Sequence, residues 1–420
     1  MNLNQAQLEE CRKRVDVALA ILLIVLAVIC ADGATNAPMA KTVYLVATNV
    51  PGKATGSLKY PLDASTPKKF DALFRSFPVS TRIKIIEGEY ETTGSAAYNP
   101  QGFYVKDGWK IAGIGKVVIQ HVATFPESGG NALGVFEHDY QGLGGITIEN
   151  LTVDENGKAL IGKSGSTFAV RLSGNNNTIR KVTAIHGCGN RATWDESFTF
   201  TICSRYDRPT LRWQDNTNGL IEFCVVQDYF GNYGVAIGLL FGADGFSGSV
   251  RGNVRSNTVL NFFGTAPYGF CNNATYTGNL ASNCFGGFYT DTGECHDVVA
   301  GYNTLLNGAG FAFHFSPSLG AASVRNVLIE GNFIETHGIG VALSSPLGPG
   351  HLVNVTIRRN TFTGSGDAIV AAYVNGLAVE DNLVNEHLES TIQWAEYPSQ
   401  NVRSRRNYRL PAPTGLENKP

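Results

Sequence analysis

The sequence predicts an all-β fold, a parallel β-solenoid wound from one chain, and three observations carry that prediction. First, a seven-residue phrase recurs: NVLIEGN (Asn326–Asn332), NVTIRRN (Asn354–Asn360) and NVRSRRN (Asn401–Asn407). Looser copies are DVVAGYN (Asp297–Asn303), NATYTGN (Asn273–Asn279), NGLIEFC (Asn218–Cys224) and NNTIRKV (Asn176–Val182). Self-similarity at a short period is the mark of stacked repeats. Second, Gly is abundant at 48 of 420 residues while only 16% are charged, which argues against both a helical protein and disorder. Third, a second short phrase follows most copies: GVAIG at Gly234, GFYTD at Gly287, GFAFH at Gly310, GVALS at Gly340 and DAIVA at Asp367. Its alternation of apolar and variable residues is the period-2 signature of a strand with one buried face.

In chain order, residues 1–37 read as an export leader. Arg12, Lys13 and Arg14 precede an apolar run from Val17 to Ala31, and small residues follow, the order of a secretory signal. The run is 15 residues long, short of the roughly 20 that a spanning helix needs. An uncleaved anchor is the alternative, and would be the chain's only contact with a membrane. A mature protein starting between Ala31 and Pro38 is expected, secreted, periplasmic or at the cell surface. Residues 38–410 then form one solenoid domain and 411–420 a C-terminal tail. A net charge of −2 gives no electrostatic footprint for nucleic acid.

A solenoid has open ends that invite edge pairing, so it needs caps. STPKKFDALFRSFP supplies one: Ser65 or Thr66 as N-cap, Pro67 in the first turn, Phe70, Leu73, Phe74 and Phe77 at helical spacing, then Pro78 as a stop. The closing positions of the phrase fall at Leu151, Val182, Cys224, Asn257, Asn279, Asn303, Asn332, Asn360, Asn382 and Asn407, spaced 31, 42, 33, 22, 24, 29, 28, 22 and 25 residues. One coil of about 22 residues with loop insertions of varying length explains the series. Asn is expected there because it tolerates a left-handed backbone and its amide can bond local backbone; stacked amides can also bond one another.

Export makes disulfides possible. Cys188, Cys203, Cys224, Cys271, Cys284 and Cys295 follow the leader, with pairing undetermined. Cys271 and Cys295 each precede a closing Asn by eight residues and should stack; a Cys188–Cys203 bridge and buried free thiols both remain open. No CxxC pair or His/Cys cluster suggests zinc.

The cap, the following IKIIEGEY and GFYVKDGWKIAGIG strings, and the Asn-marked coils resemble the right-handed parallel β-helix superfamily of pectate lyases, polygalacturonases and phage tailspikes. The resemblance spans about residues 41–410 and implies a single-stranded right-handed parallel β-helix of about ten coils with a short N-terminal capping helix. It carries no catalytic residue over. The polygalacturonase strings are absent (Asp244 stands in FGADGF and there is no GHG), and the lyase strings are missing apart from a distant echo in RYDRPTLR (Arg205–Arg212).

Site residues are therefore read from the chain itself. If the first and third residues after Gly are buried, the fourth faces out and reads Gly238, Asp291, His314 and Ser344 across coils. The second reads Ala236, Tyr289, Ala312 and Ala342. On that register Asp291 and His314 are stacked neighbours with Tyr289 beside them, a carboxylate–imidazole pair suited to proton transfer. Arg171 in GSTFAVRLS takes a comparable outward place. The 42-residue gap adds Trp194, Asp195, Glu196, Arg208 and Trp213, in a long loop where aromatic faces suit sugar rings and arginines suit uronate carboxylates. A packed flap is the bland reading of that loop, and a solvated outer face the bland reading of the pair. The DENG turn at Asp154 offers oxygen ligands for calcium or is a simple Asx turn, so the cofactor is unknown. Two functions follow. One is an exported polysaccharide lyase or glycoside hydrolase acting on an acidic or plant-type polysaccharide. The other is a non-catalytic surface or glycan-binding β-helix of tailspike or adhesin type.

Overall fold

Each repeat phrase folds into a strand, one left-handed residue and a second short strand, and stacking these units builds the domain. The structure is a computed structural model that describes residues 41–48, 54–97, 99–122, 132–161, 165–190, 192, 197–232, 234–240, 250–262, 273–290, 295–317, 323–336, 338–364, 366–385, 393–394 and 399–410. The expected leader, the 411–420 tail and Cys271 lie outside them. Among the described residues, 22 strands join one continuous sheet in which phrase strands pair in parallel with their equivalents one coil before and after. Val327, for example, stands between Val298 and Val355. The second phrase builds two more parallel sheets. One holds Ala132–Glu137, Ser166–Ser173, Ser197–Cys203 and Gly234–Leu240; the other Phe288–Thr290, Phe311–Phe315, Ile339–Leu343, Asp367–Ala371 and Gln393–Trp394. The fold is a right-handed parallel β-helix.

The phrase works slot by slot. Slots two and four point inward: Val298, Val327, Val355 and Leu377, then Ala300, Ile329, Ile357 and Val379, are all at most 2% exposed. Each fully buried aliphatic side chain contributes roughly 1.5–3 kcal/mol. The closing slot is a buried amide ladder. Asn257, Asn279, Asn303, Asn332, Asn360 and Asn382 are nearly inaccessible, and the backbone N–H and side-chain Nδ2 of each donate to the Oδ1 of the next.

The left-handed residue is not the closing Asn, contrary to expectation, but the sixth slot just before it. Asn150, Lys181, Phe223, Ser256, Gly278, Tyr302, Gly331, Arg359, Asp381 and Arg406 all have φ between +50° and +67°. The corner geometry imposes that conformation whatever side chain is present. The Asn, Asp or Gly that opens most phrases is left-handed as well. Asn176, Asn273 and Asn354, which begin N-x-S/T triplets, sit in such turns at φ +53° to +57°.

The fifth slot faces out and alternates in charge. In register, Glu149, Arg180, Glu222 and Arg255 follow one another, then Thr277 and Gly301, then Glu330, Arg358, Glu380 and Arg405. Ion pairs form between coils, such as Arg180–Glu149 at 2.5 Å, Arg255–Glu222 at 2.7 Å and Arg358–Glu330 at 3.0 Å.

The cap forms as expected, Pro67–Ser76, with the Thr66 hydroxyl accepting from the Lys69 N–H at 3.3 Å. Its Phe70 and Phe74 are buried and close the solenoid end against Phe103, Trp109 and Phe136, with Phe74–Phe103 centroids 4.7 Å apart. Cys188, Cys203, Cys224 and Cys284 are buried free thiols, and Cys295 is fully buried. Cys188 bonds Thr167 while Cys203 pairs with Ser173 on the same strand. Six residues of strand, about 20 Å, separate them, beyond disulfide reach.

Candidate functional site

The 42-residue gap is not one loop. Its centre, SFTFTIC (Ser197–Cys203), is a solenoid strand paired with Ser166–Ser173 on one side and Gly234–Leu240 on the other. The sequence SRYDRPTLRWQD beyond it folds into an antiparallel hairpin, Arg205–Asp207 with Arg212–Gln214, in which Tyr206 faces Trp213. The Tyr206 N–H donates to the Tyr140 carbonyl at 2.7 Å, which docks the hairpin beside the end of strand Ala132–Glu137.

An ion pair lies beneath it. Glu137, Arg171 and Thr201 are in register on three adjacent strands. The Arg171 guanidinium donates to the Glu137 carboxylate through Nη2, and through Nε at 3.1 Å. The Ser95 hydroxyl donates to the other carboxylate oxygen. The Arg171 and Glu137 side chains are only 12% and 2% exposed, so the charges compensate each other almost out of water. The guanidinium carbon stands 4.4 Å from the Phe168 ring centroid and 5.3 Å from that of Tyr140. Tyr140 meets the edge of Trp213 at 5.6 Å, and Trp213 lies 5.3 Å from Tyr206. Beside this layer, His138 Nε2 is 3.1 Å from Asp107 and its Nδ1 2.9 Å from the Ser173 carbonyl. Burial acts to raise the Asp107 carboxyl, but hydrogen bonds from His138 and the Gly144 N–H outweigh it and hold it below the usual carboxylate range.

The structure thus brings Arg171 and Trp213 together through Tyr140, which the sequence reading missed along with Glu137. EHDY stands outside every repeat phrase, and that was the available signal. Arg208 and Arg212 project from the hairpin, exposed, and no ion pair among the described residues engages them. Trp194, Asp195, Glu196 and Asp291 lie outside the described residues, and of Tyr289 only the backbone is described. His314 pairs in register with Tyr289 and with Ala342, two residues away from the register expected for GFAFH. A two-residue shift keeps the faces, so Phe288 and Phe313 are buried as expected, their rings 4.9 Å apart. Phe311 is only half-buried and stacks on the His314 ring at 4.5 Å. His314 stands five coils from Arg171, about 24 Å at ~4.8 Å per coil. One sugar cannot bridge them, though an extended glycan can.

Among the described residues no group of three or more His, Cys, Asp or Glu is placed to hold a metal ion. Asp154 of the DENG turn uses Oδ1 on the Asn156 N–H at 2.9 Å and His186 at 3.0 Å.

No family model matches the sequence, and no characterised protein matches it at the sequence level. Solved structures do match the fold. A double mutant of the tailspike of Escherichia coli bacteriophage HK620, in complex with a pentasaccharide, superposes with a TM-score of 0.61 at 11% identity over 87% of this chain and 67% of its own. A deletion variant of the same tailspike, in complex with a hexasaccharide, gives 0.60 at 12% identity over 82% and 62%. The chain spans about two thirds of the length of these tailspikes. The Streptococcus pneumoniae surface protein and adhesin PfbA gives 0.53 at 14% identity over 78% and 91%.

Proposed function

We propose that the protein binds an extended acidic polysaccharide across the face formed by its second-phrase strands. Trp213, Tyr206 and Tyr140 stack on sugar rings, and Arg208 and Arg212 face the carboxylates. The observation that carries this reading is the aromatic hairpin locked onto the Glu137–Arg171 pair. Aromatic groups fixed by a buried charge pair present a pre-organised apolar surface rimmed by cations. Arg171 itself is neutralised by Glu137 and acts by holding Tyr140, so ligand charge falls to the hairpin arginines. The oligosaccharides bound by the tailspikes of like fold support a glycan ligand, and the adhesin supports a surface role. We also propose export through the 1–37 leader.

A panel of polysaccharides titrated against tryptophan fluorescence tests the reading. Binding should prefer uronate-containing chains, weaken with salt, and fall at least tenfold, about 1.4 kcal/mol, in Trp213→Ala. Equal binding by Trp213→Ala, or no binding to any glycan, overturns it. Cleavage by elimination or hydrolysis is the second reading, supported by the titratable side chains gathered at both ends of these strands.

A further inference from the structure

A second group of side chains lies at the opposite end of the same strands. The Thr167 N–H donates to the Cys188 carbonyl at 2.9 Å, which places His186, two residues earlier, at the start of strand Ser166–Ser173. Arg171 and the aromatic hairpin stand four residues further along, about 13 Å at ~3.3 Å per residue. His186 Nδ1 is 3.0 Å from Asp154 Oδ1. An ionised carboxylate only accepts, and this oxygen also takes the Asn156 N–H, so the imidazole proton sits on Nδ1 and Nε2 is left basic.

The ring is fixed from two further directions. It stacks on Phe230, centroids 5.4 Å apart and planes 16° from parallel. Its backbone is held left-handed at φ +59°, with its carbonyl accepting the Gly157 N–H at 2.6 Å. The same left-handed corner recurs in the following coils at Asp228, Asn261, Asn283 and Asn307, so the stacking of coils fixes where the imidazole starts. The His186 side chain is 37% exposed while Asp154 is 12% exposed, so the base reaches solvent and its orienting carboxylate does not. Lys158 follows Gly157 directly, is exposed, and forms no ion pair among the described residues. Burial pushes the Glu155 carboxyl up to about 8, against the pull of Thr167 and Thr199 and aided by the charge of Asp154, so at neutral pH it adds no negative charge that would repel a uronate.

We infer that Asp154, His186 and Lys158 form a proton-transfer centre for β-elimination in a uronate-containing glycan, resting on the binding reading above. His186 Nε2 takes the proton from C5 of the uronate, next to its carboxylate, while Lys158 pairs with that carboxylate as negative charge builds on it. The C5–H electron pair becomes the C4=C5 double bond, and the C4–O4 bond breaks with its electrons on the leaving oxygen. The imidazolium returns the proton to O4. His186 ends neutral, the products are an unsaturated uronate and a new chain end, and no co-reactant is used. His186 is the catalytic residue and Asp154 the positioning residue. The aromatic hairpin holds the chain a few sugar rings away.

Two measurements test this. In the glycan-free protein, nitrogen chemical shifts should show the His186 proton on Nδ1, and Asp154→Asn should remove that preference. A proton resident on Nε2 in wild type overturns the inference. Polygalacturonate and alginate should then yield unsaturated, ultraviolet-absorbing ends. His186→Ala and His186→Gln, both with unchanged melting, should lose 10²- to 10⁴-fold in rate with glycan affinity kept within twofold. Cleavage surviving in both variants, or a uronate chain that is bound and left intact by wild type, overturns this assignment alone. Absence of binding to either chain overturns the glycan reading and this inference together.

Discussion

Replacing Asn332 by Leu tests the buried amide ladder most directly. The Asn332 side chain makes four hydrogen bonds. Its Oδ1 accepts from the Asn303 N–H at 2.8 Å and Nδ2 at 3.0 Å, and its Nδ2 donates to the Ala300 carbonyl and Asn360 Oδ1, both at 2.9 Å. Leu fills a similar volume and makes none of them. Asn303 Nδ2 keeps its bond to the Tyr276 carbonyl, and Asn360 Oδ1 still accepts the residue-332 N–H. The Asn303 N–H is orphaned in a site 1% exposed, which costs about 1–3 kcal/mol. The remaining half-satisfied groups bring the expected loss to about 3 kcal/mol. With an unfolding entropy of ~2.1 cal/mol/K per residue over this domain, that is a fall in thermal midpoint of about 4 °C. The control is Asn253→Leu, at an exposed strand position whose side chain bonds Thr275, expected to change stability by under about 0.5 kcal/mol. Both variants are scanned at one heating rate by calorimetry. Equal midpoints would refute the claim that the amide ladder, and not packing alone, holds the corner.

Three further outcomes are expected. Glu155 binds a proton in the fold with its pKa near 8 but releases it in the unfolded chain near its ordinary 4.5. Wild type should therefore lose stability as pH rises between those values, by on the order of 4 kcal/mol, and Glu155→Gln should flatten the trend in urea unfolding at about pH 5 and about pH 8; parallel wild-type and variant curves would refute this. At Phe223, exposed and left-handed at φ +55°, Gly should be nearly neutral and β-branched Val lower by about 1–2 kcal/mol, read from melting curves in which Val must not match Gly. Secreted material should begin between Ala31 and Pro38 by N-terminal sequencing, and full-length chain found only in membranes would support an anchor instead.

What the sequence revealed was whatever repeats from coil to coil in residue type. The closing Asn could be read because a buried amide must recur to stay satisfied, and the cap because Phe70 and Phe74 follow helical spacing. The left-handed slot stayed hidden because Lys181, Phe223, Tyr302 and Arg359 share a conformation and no chemistry. The register of His314 was misplaced because Gly310 was aligned with Gly287, whereas its N–H bonds the carbonyl of Phe285; turns of different length put glycines at different heights. Glu137 and Arg171 could not be matched because they stand on two separate strands, 34 residues apart in sequence, whose register is set by loops of unequal length.

The alternating fifth slot has a consequence for how such a chain can change length. Its sign has a repeat of two coils, and the uncharged Thr277 and Gly301 occupy one full period, so Glu330 resumes in phase with Glu149 and Glu222. Excising the single coil that carries Glu222 would set Arg180 against Arg255 at one strand spacing, where like charges directly opposed are destabilising. Excising that coil together with the preceding one, which carries Arg180, would set Glu149 against Arg255 and restore opposite signs across the junction. The domain is in this sense a dimeric lattice in one dimension, and its viable insertions and deletions should come in even numbers of turns.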